Sequence, residues 1–167
     1  TISTGYYVFN DLPTGTYEVS KGMVAGYTNE MPVSGTPFVG NVTVQNEFSD
    51  ILAMIPGVNG VNYNFGHIPL VDIQGSVWYD VNRDGVKDAS ETTMLSGVTV
   101  ELKNASGTVV ATVTTDTNGN YTFSQVEVGT YTVVETQPTG YGSSTPNTLT
   151  VSALTDTNVT GQNFGET

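Results

Sequence analysis

The chain of 167 residues contains no cysteine, four lysine and arginine residues in total, and a single histidine. Without cysteine there are no disulfides, and a secreted protein without disulfides often needs another constraint, such as a bound metal. The few basic residues form no patch, and a net charge of −12 disfavours nucleic acid and anionic membranes while attracting cations. One histidine without cysteine excludes a zinc site and a Ser–His hydrolase site. No stretch approaches the roughly 18 apolar residues of a membrane span.

Most of the chain shows the alternation of apolar and polar residues that is typical of half-buried β-strands. We predict seven strands in its second part, near residues 71–79, 97–103, 108–114, 120–124, 129–136, 147–152 and 158–165. Asn118–Gly119 is a strong hairpin signal between two of them. Seven short strands of this kind favour an all-β, two-sheet sandwich. The residues predicted to fill its core are Val98, Val100, Leu102, Val109, Ala111, Val113, Tyr121, Phe123, Tyr131, Val133, Leu149, Val151 and Phe164.

The sequence repeats itself once. Residues Tyr7–Val19 correspond to Tyr121–Val133 at an offset of 114 residues, and Asn64–Gly66 correspond to Asn163–Gly165 at an offset of 99. The first copy therefore carries 15 more residues between these two anchors than the second copy does (114 minus 99). A repeat of about a hundred residues indicates tandem domains rather than a short solenoid unit.

We therefore divide the chain into two domains, residues 1–69 and 70–167, joined by the short segment His67–Leu70, which favours a stiff connection. The second domain is complete, whereas the first begins at the equivalent of residue 115 and lacks the opening strands. Its strand edges would be completed by a preceding segment or by a neighbouring subunit. Because Thr1 is not a natural start, we expect a piece of a longer chain.

Residues 80–91, DVNRDGVKDASE, match the calcium-loop pattern D-x-[DN]-x-[DN]-G-x5-E at every required position. Gly85 takes the position of the sharp turn, and the spacing wraps oxygen ligands around one point. The predicted calcium ligands are Asp80, Asn82, Asp84, the backbone carbonyl of Val86, Asp88 and Glu91. Strand-like sequences flank the loop where an EF-hand has helices, which favours a structural Ca²⁺ over a sensor. The alternative is a polar loop built from Asx turns.

Two weaker clusters of acids and amides pose the same question. Asp116–Asn120 could supply oxygens to a second calcium ion, and Asp156 with Asn158 could do so more weakly. For the first of these clusters we favour an Asx-rich hairpin turn without an ion.

The segments GSVWYDVNRDGVKDASE, LSGVTVELKN and TTDTNGNYTFSQVEVGTYTVVE, in this order, carry a family resemblance. They resemble the B repeats of the serine–aspartate-repeat surface adhesins of Gram-positive bacteria (SdrD B-like), within the wider group of collagen-adhesin B-type domains. The resemblance covers Gly75–Tyr141 and, in the first copy, Gly5–Tyr27. It implies tandem prealbumin-like or Ig-like β-sandwiches that stiffen on binding calcium. It also implies a spacer that holds a ligand-binding head away from the cell.

Some collagen-adhesin B-type domains form an internal Lys–Asn isopeptide bond that is assisted by an acidic residue. Glu135 and Asn163 lie at matching positions, but Gly75–Tyr79 contains no lysine, and Lys103 belongs to a later strand. The resemblance therefore does not extend to this bond, and we interpret Glu135 as an exposed carboxylate at a strand end.

We find no nucleophile–base pair, no phosphate-binding loop and no paired carboxylates outside the calcium loop, so we predict no enzyme activity and no catalytic residues. The leading prediction is a calcium-stabilised structural repeat in a rigid stalk, adhesin spacer or extracellular filament on a microbial cell surface. Its partners would be neighbouring repeats or fibre subunits, with a host or matrix ligand as a further class. The alternatives are a binding module for host protein or glycan and an accessory module of a secreted enzyme. Candidate aromatic contacts for such a ligand are Tyr6, Tyr27, Phe38 and Tyr141.

Overall fold

The structure is a computed structural model, and it describes residues 5–9, 12–30, 32, 47–53 and 63–167. Every element of regular secondary structure within these ranges is a β-strand, which confirms the predicted all-β class. The described residues thus include no helix long and apolar enough to cross a membrane. The chain forms two compact units, unit 1 (Thr1–Ile68) and unit 2 (Pro69–Thr167). This division falls one residue before the boundary that the sequence predicts.

Ten strands follow one another along the described chain. They are β1 (Gly15–Ser20), β2 (Tyr27–Asn29), β3 (Glu47–Ala53), β4 (His67–Tyr79), β5 (Thr99–Asn104), β6 (Val109–Thr114), β7 (Asn120–Glu127), β8 (Gly129–Glu135), β9 (Thr148–Ala153) and β10 (Phe164–Glu166). Their valine, threonine and tyrosine residues suit a pleated, half-buried backbone. Burial alternates along β1 and along residues 120–124 of β7, as a period of two requires.

Unit 2 is a sandwich of two sheets. One sheet has the strand order β6-β5-β8-β9, and in the other β4 pairs with β7 antiparallel and with β10 parallel. The core between the sheets confirms the predicted sandwich. Its buried members are Ile73, Val77, Leu95, Val98, Val100, Leu102, Tyr121, Phe123, Val133, Val151 and Phe164.

Three details of the structure differ from the sequence prediction. Val109 is exposed rather than in the core, because the β5–β6 register shifts at Leu102 and turns Val109 outward. The predicted closing strand 158–165 is reduced to β10, and Val159 forms only an isolated bridge. The predicted linker His67–Leu70 is the beginning of β4.

Unit 1 repeats part of this arrangement. Strand β1 pairs antiparallel with β3, starting from Gly15 opposite Ala53, and β8 pairs with β9 in the same way, starting from Gly129 opposite Ala153. The two registers match over the first three residue pairs, after which the β1–β3 register shifts between Tyr17 and Val19 and the β8–β9 register does not. Residues 33–46, with Phe38 among them, lie outside the described ranges. The expected lack of opening strands in this domain stays a prediction.

Candidate metal centre

The calcium-loop segment lies in a loop, residues 80–93, that leaves β4 and folds back onto it. At its base the amide of Tyr79 donates to the carbonyl of Thr93 at 2.9 Å. The amide of Asp80 donates to the carbonyl of Glu166, in β10, at 2.7 Å. The start of the loop is therefore fixed to both the opening strand and the closing strand of unit 2.

This loop covers the outward face of β4. Ile73 and Val77 point into the core, so the alternation of the strand directs Ser76 and Trp78 to the opposite face. Both are nevertheless buried. The Lys87 ammonium donates to the Ser76 hydroxyl at 3.3 Å, and Trp78 also bonds to the loop. The loop thus packs on the outward face of β4 and shields these two side chains from solvent.

Asp80 closes the first turn of the loop. Its two oxygens accept the amides of Arg83 at 2.6 Å and of Gly85 at 2.8 Å, and Gly85 has a φ of 75°, which suits glycine. Burial raises the pKa of the Asp80 carboxyl, but the Ser144 hydroxyl and these amides outweigh it and hold the pKa below its usual range. Asp80 is therefore an ionised carboxylate at the base of the loop.

Glu91 is the second buried carboxylate, with 5% of its surface exposed. One of its oxygens accepts the Val81 amide at 2.9 Å. The other accepts the indole N–H of Trp78 at 2.9 Å and the Asp88 amide at 3.1 Å. Three N–H donors thus orient the side chain at the last position of the pattern.

The three remaining side-chain ligands of the pattern meet at the exposed end of the loop. The Asn82 side-chain amide donates to Asp84 at 2.9 Å and to Asp88 at 3.2 Å. In return, Asn82 accepts the Asp84 amide at 3.1 Å, and Asp84 accepts the Val86 amide at 2.8 Å. These are Asx turns, and they hold the loop in the tight path that the pattern requires.

The loop fits a hard cation in residue type and in turn geometry. Its donors are all oxygen, which is what Ca²⁺ prefers in proteins. The structure brings Asn82, Asp84 and Asp88 together at the exposed end of the loop, and it places Asp80 and Glu91 in the buried base. In the part of the chain that the structure describes, no group of three or more acidic, histidine or cysteine side chains is arranged to hold a metal. Calcium binding therefore stays a prediction.

The weaker acidic clusters have hydrogen-bonding roles in turns and between strands. One oxygen of Asp116 accepts the amides of Asn118 and Asn120, each at 2.8 Å, around Gly119 with its φ of 68°. This geometry is the Asx-rich hairpin turn that we favoured. The Asn158 side chain accepts the Asp72 amide at 2.9 Å, which connects the segment before β10 to β4.

The interpretation of Glu135 as an exposed carboxylate is wrong. Glu135 is only 4% exposed, and Glu166 beside it is fully buried. Burial, followed by the neighbouring Glu166, raises the pKa of Glu135 to about 8. Burial also raises the pKa of Glu166, against the effect of a hydrogen bond from Gln137. The signal was present in the sequence, because Glu135 is two residues after Val133 and must share its inward face.

The other two residues considered for an isopeptide bond have different partners. The Asn163 side chain accepts both the amide and the hydroxyl of Ser76, at 3.0 and 3.1 Å. Lys103 pairs with Glu101 at 3.3 Å. Asn163 thus joins the start of β10 to β4 through hydrogen bonds.

Residues 71–166, more than half of the chain, match the model of the SdrD B-like domain family. The chain belongs to this family. The match spans nearly all of unit 2, including the loop at 80–91, and it confirms the resemblance seen in the sequence.

Named relatives of the SdrD B-like chain are much longer. It is 32% identical over 149 residues to serine-aspartate repeat-containing protein F of Staphylococcus epidermidis, covering 88% of this chain and 9% of that protein. It is 35% identical over 143 residues to protein D of Staphylococcus aureus (strain Newman), covering 84% and 10%. The chain thus spans about a tenth of the length of these relatives. Among solved structures, BcpA, the major pilin subunit of Bacillus cereus, aligns with a TM-score of 0.44 at 15% identity, covering 92% of this chain and 60% of that one.

Proposed function

We propose that this chain is part of an extracellular stalk, adhesin spacer or filament on a microbial cell surface, and that calcium stabilises its SdrD B-like unit. The observation that carries the proposal is the loop at 80–91, which has the calcium spacing and holds two carboxylates buried at its base. Family membership supports a structural repeat, and neither serine-aspartate repeat relative is named as an enzyme. A net charge of −12 suits a chain that works in the presence of divalent cations.

Calcium would act by neutralising carboxylates that repel one another when the loop closes. The residues that would hold it are Asp80, Asn82, Asp84, the carbonyl of Val86, Asp88 and Glu91. The loop is hydrogen-bonded to the sheet at two points. The Asp80 amide donates to the Glu166 carbonyl in β10, and the Trp78 indole N–H in β4 donates to the Glu91 carboxylate. An ion in the loop would therefore favour the paired state of β4 and β10.

The size of this effect follows from linkage. An ion that binds only the folded loop raises the free energy of unfolding by about 2.7 kcal/mol when its concentration is a hundred times Kd. Loops of extracellular modules have Kd values on the order of 10⁻⁴ to 10⁻³ M. Such weak binding is useful only where calcium is abundant, which agrees with the extracellular location proposed here.

The test is the thermal unfolding of the full chain in calcium and in EDTA. Trp78 is the single tryptophan and lies in unit 2, so its fluorescence reports the unfolding of that unit. We expect Tm to rise in calcium, and we expect Glu91→Ala to remove most of the rise. The control is Glu127→Ala, which removes an exposed acid of unit 2 outside the loop and should keep the rise. A wild-type Tm that ignores calcium would contradict the proposal.

The partners we propose are neighbouring repeats of the same kind, since the chain itself contains the repeat twice. A ligand-binding module is the alternative if calcium has no effect. Of its candidate aromatic residues, Tyr6 and Tyr141 are exposed, and Tyr141 packs edge-on against Tyr79 with ring centres 6.0 Å apart. Variants of these two tyrosines would then be the first to assay against host proteins and glycans.

A further inference from the structure

Trp78 lies between the calcium-loop segment and the closing strand of unit 2. It is 2% exposed although it points away from the core. It pairs with Gly165 of the neighbouring strand β10, and a Cβ on Gly165 would come within 2.8 Å of the indole ring. The ring thus lies over a glycine that leaves room for it. This packing fixes the direction in which the indole nitrogen points.

The indole nitrogen points at Glu91. Its N–H donates to a carboxylate oxygen of Glu91 at 2.9 Å, in a buried, charge-assisted hydrogen bond. The other two N–H donors to Glu91 are backbone amides of the loop itself, at Val81 and Asp88. Of the three donors, Trp78 is the one that belongs to the sheet.

We propose that Trp78 is a positioning residue for the calcium site, which it serves by holding Glu91 at the last ligand position through the indole N–H. This inference rests on the proposed function. Partners that orient a ligating carboxylate commonly change metal affinity by roughly 10- to 100-fold when they are removed. Trp78 also connects the site to β10 through Gly165, so the position of Glu91 depends on the packing of the sheet.

The first experiment measures the calcium Kd of the full chain by calorimetry. Trp78→Phe keeps an aromatic ring but removes the N–H, and we expect Kd to rise about tenfold or more. The matched control is Tyr121→Phe, which removes the hydroxyl that donates to Gln162 at 2.5 Å in the same unit, away from the loop. The control should lower Tm in EDTA and leave Kd unchanged. An unchanged Kd in Trp78→Phe, with calcium bound by the wild type, would overturn this inference and leave the proposed function standing.

A second experiment observes the bond without changing Trp78. The chain has one indole, so its N–H gives a single resolved NMR signal. Glu91→Gln replaces the charged acceptor by a neutral one, and we expect the indole signal to move upfield in EDTA and to lose its calcium response. A signal that is the same in wild type and Glu91→Gln would show that the bond is absent and overturn the inference. No calcium binding by the wild type would instead refute the proposed function, and this inference with it.

Discussion

Units 1 and 2 hold the same local contacts at equivalent positions. Tyr7 in unit 1 and Tyr121 in unit 2 each donate a hydroxyl to a main-chain carbonyl two residues before the Phe–Gly pair that ends the repeat. The rings of Tyr7 and Phe9 are 5.8 Å apart, and those of Tyr121 and Phe123 are 5.7 Å apart, edge to face in both cases. The repeated motif therefore sets the same local geometry twice.

The two units differ in burial. Phe9 is 59% exposed, whereas Phe123 is 2% exposed. In unit 2, strand β5 pairs with β8 and contributes core residues such as Leu102 opposite Val133. In the part of unit 1 that the structure describes, β1 has no neighbour equivalent to β5. The ring pair and the tyrosine hydrogen bond are thus common to both copies of the motif, while burial depends on strands that are distant in sequence.

The largest expected contrast is between Phe123→Ala and Phe9→Ala. Removing the buried ring should lower the free energy of unfolding of unit 2 by about 3–5 kcal/mol, because it leaves a cavity. Removing the exposed ring should cost less than about 0.5 kcal/mol. Denaturant unfolding followed by Trp78 fluorescence and by circular dichroism measures both. An equal loss in the two variants would mean that Phe9 is packed like its counterpart.

A second contrast concerns the glycine in the Phe–Gly pair. A Cβ on Gly165 would meet the Trp78 ring at 2.8 Å and the Ser144 hydroxyl at 2.5 Å, whereas on Gly66 it would meet the flexible end of Glu30 at 2.5 Å. Gly165→Ala should therefore cost about 1–3 kcal/mol through overpacking. Gly66→Ala should cost clearly less, because Glu30 can move. Thermal unfolding of both variants tests this prediction, and a smaller loss of stability in Gly165→Ala than in Gly66→Ala would contradict it.

A third contrast concerns Glu135, whose equivalent in unit 1 is Lys21. Burial and Glu166 raise the pKa of Glu135 from 4.5 to about 8 in the folded state. The folded chain thus binds this proton more tightly than the unfolded chain, so stability should fall as pH rises between these two values. Glu135→Gln should flatten the decrease in unfolding free energy between about pH 4.5 and about pH 8, measured in EDTA. Lys21→Gln is the control, and a slope that Glu135→Gln leaves unchanged would assign the pH dependence to other groups.

Local features of the sequence predicted local features of the structure well. The hairpin at Asn118–Gly119 forms because glycine accepts a φ of 68° and Asp116 caps the turn. Gly85 has the positive φ that its place in the calcium pattern requires. Alternation located all seven strands of unit 2, since a period of two reflects one buried face.

Features that depend on distant neighbours were not predicted. The length of β10 is set by its pairing with β4, which covers only Phe164–Glu166. The alternation in residues 158–165 extends further toward the N-terminus than this pairing does. The buried position of Glu135, by contrast, follows from the alternation of β8 and was missed because a glutamate was assumed to face solvent. The place of Trp78 on the outer face could not be foreseen, because it needs a loop that folds back over its own strand.

The parallel pairing of β4 and β10 determines how unit 2 responds to tension. Phe164, Gly165 and Glu166 lie beside Val77, Trp78 and Tyr79, and both strands run in the same direction. A pull on the start of β4 and on the end of β10 therefore slides the two strands past each other along their length. The bonds across this pair are loaded in shear and must yield together, whereas a hairpin pulled from its two ends would unzip one bond at a time.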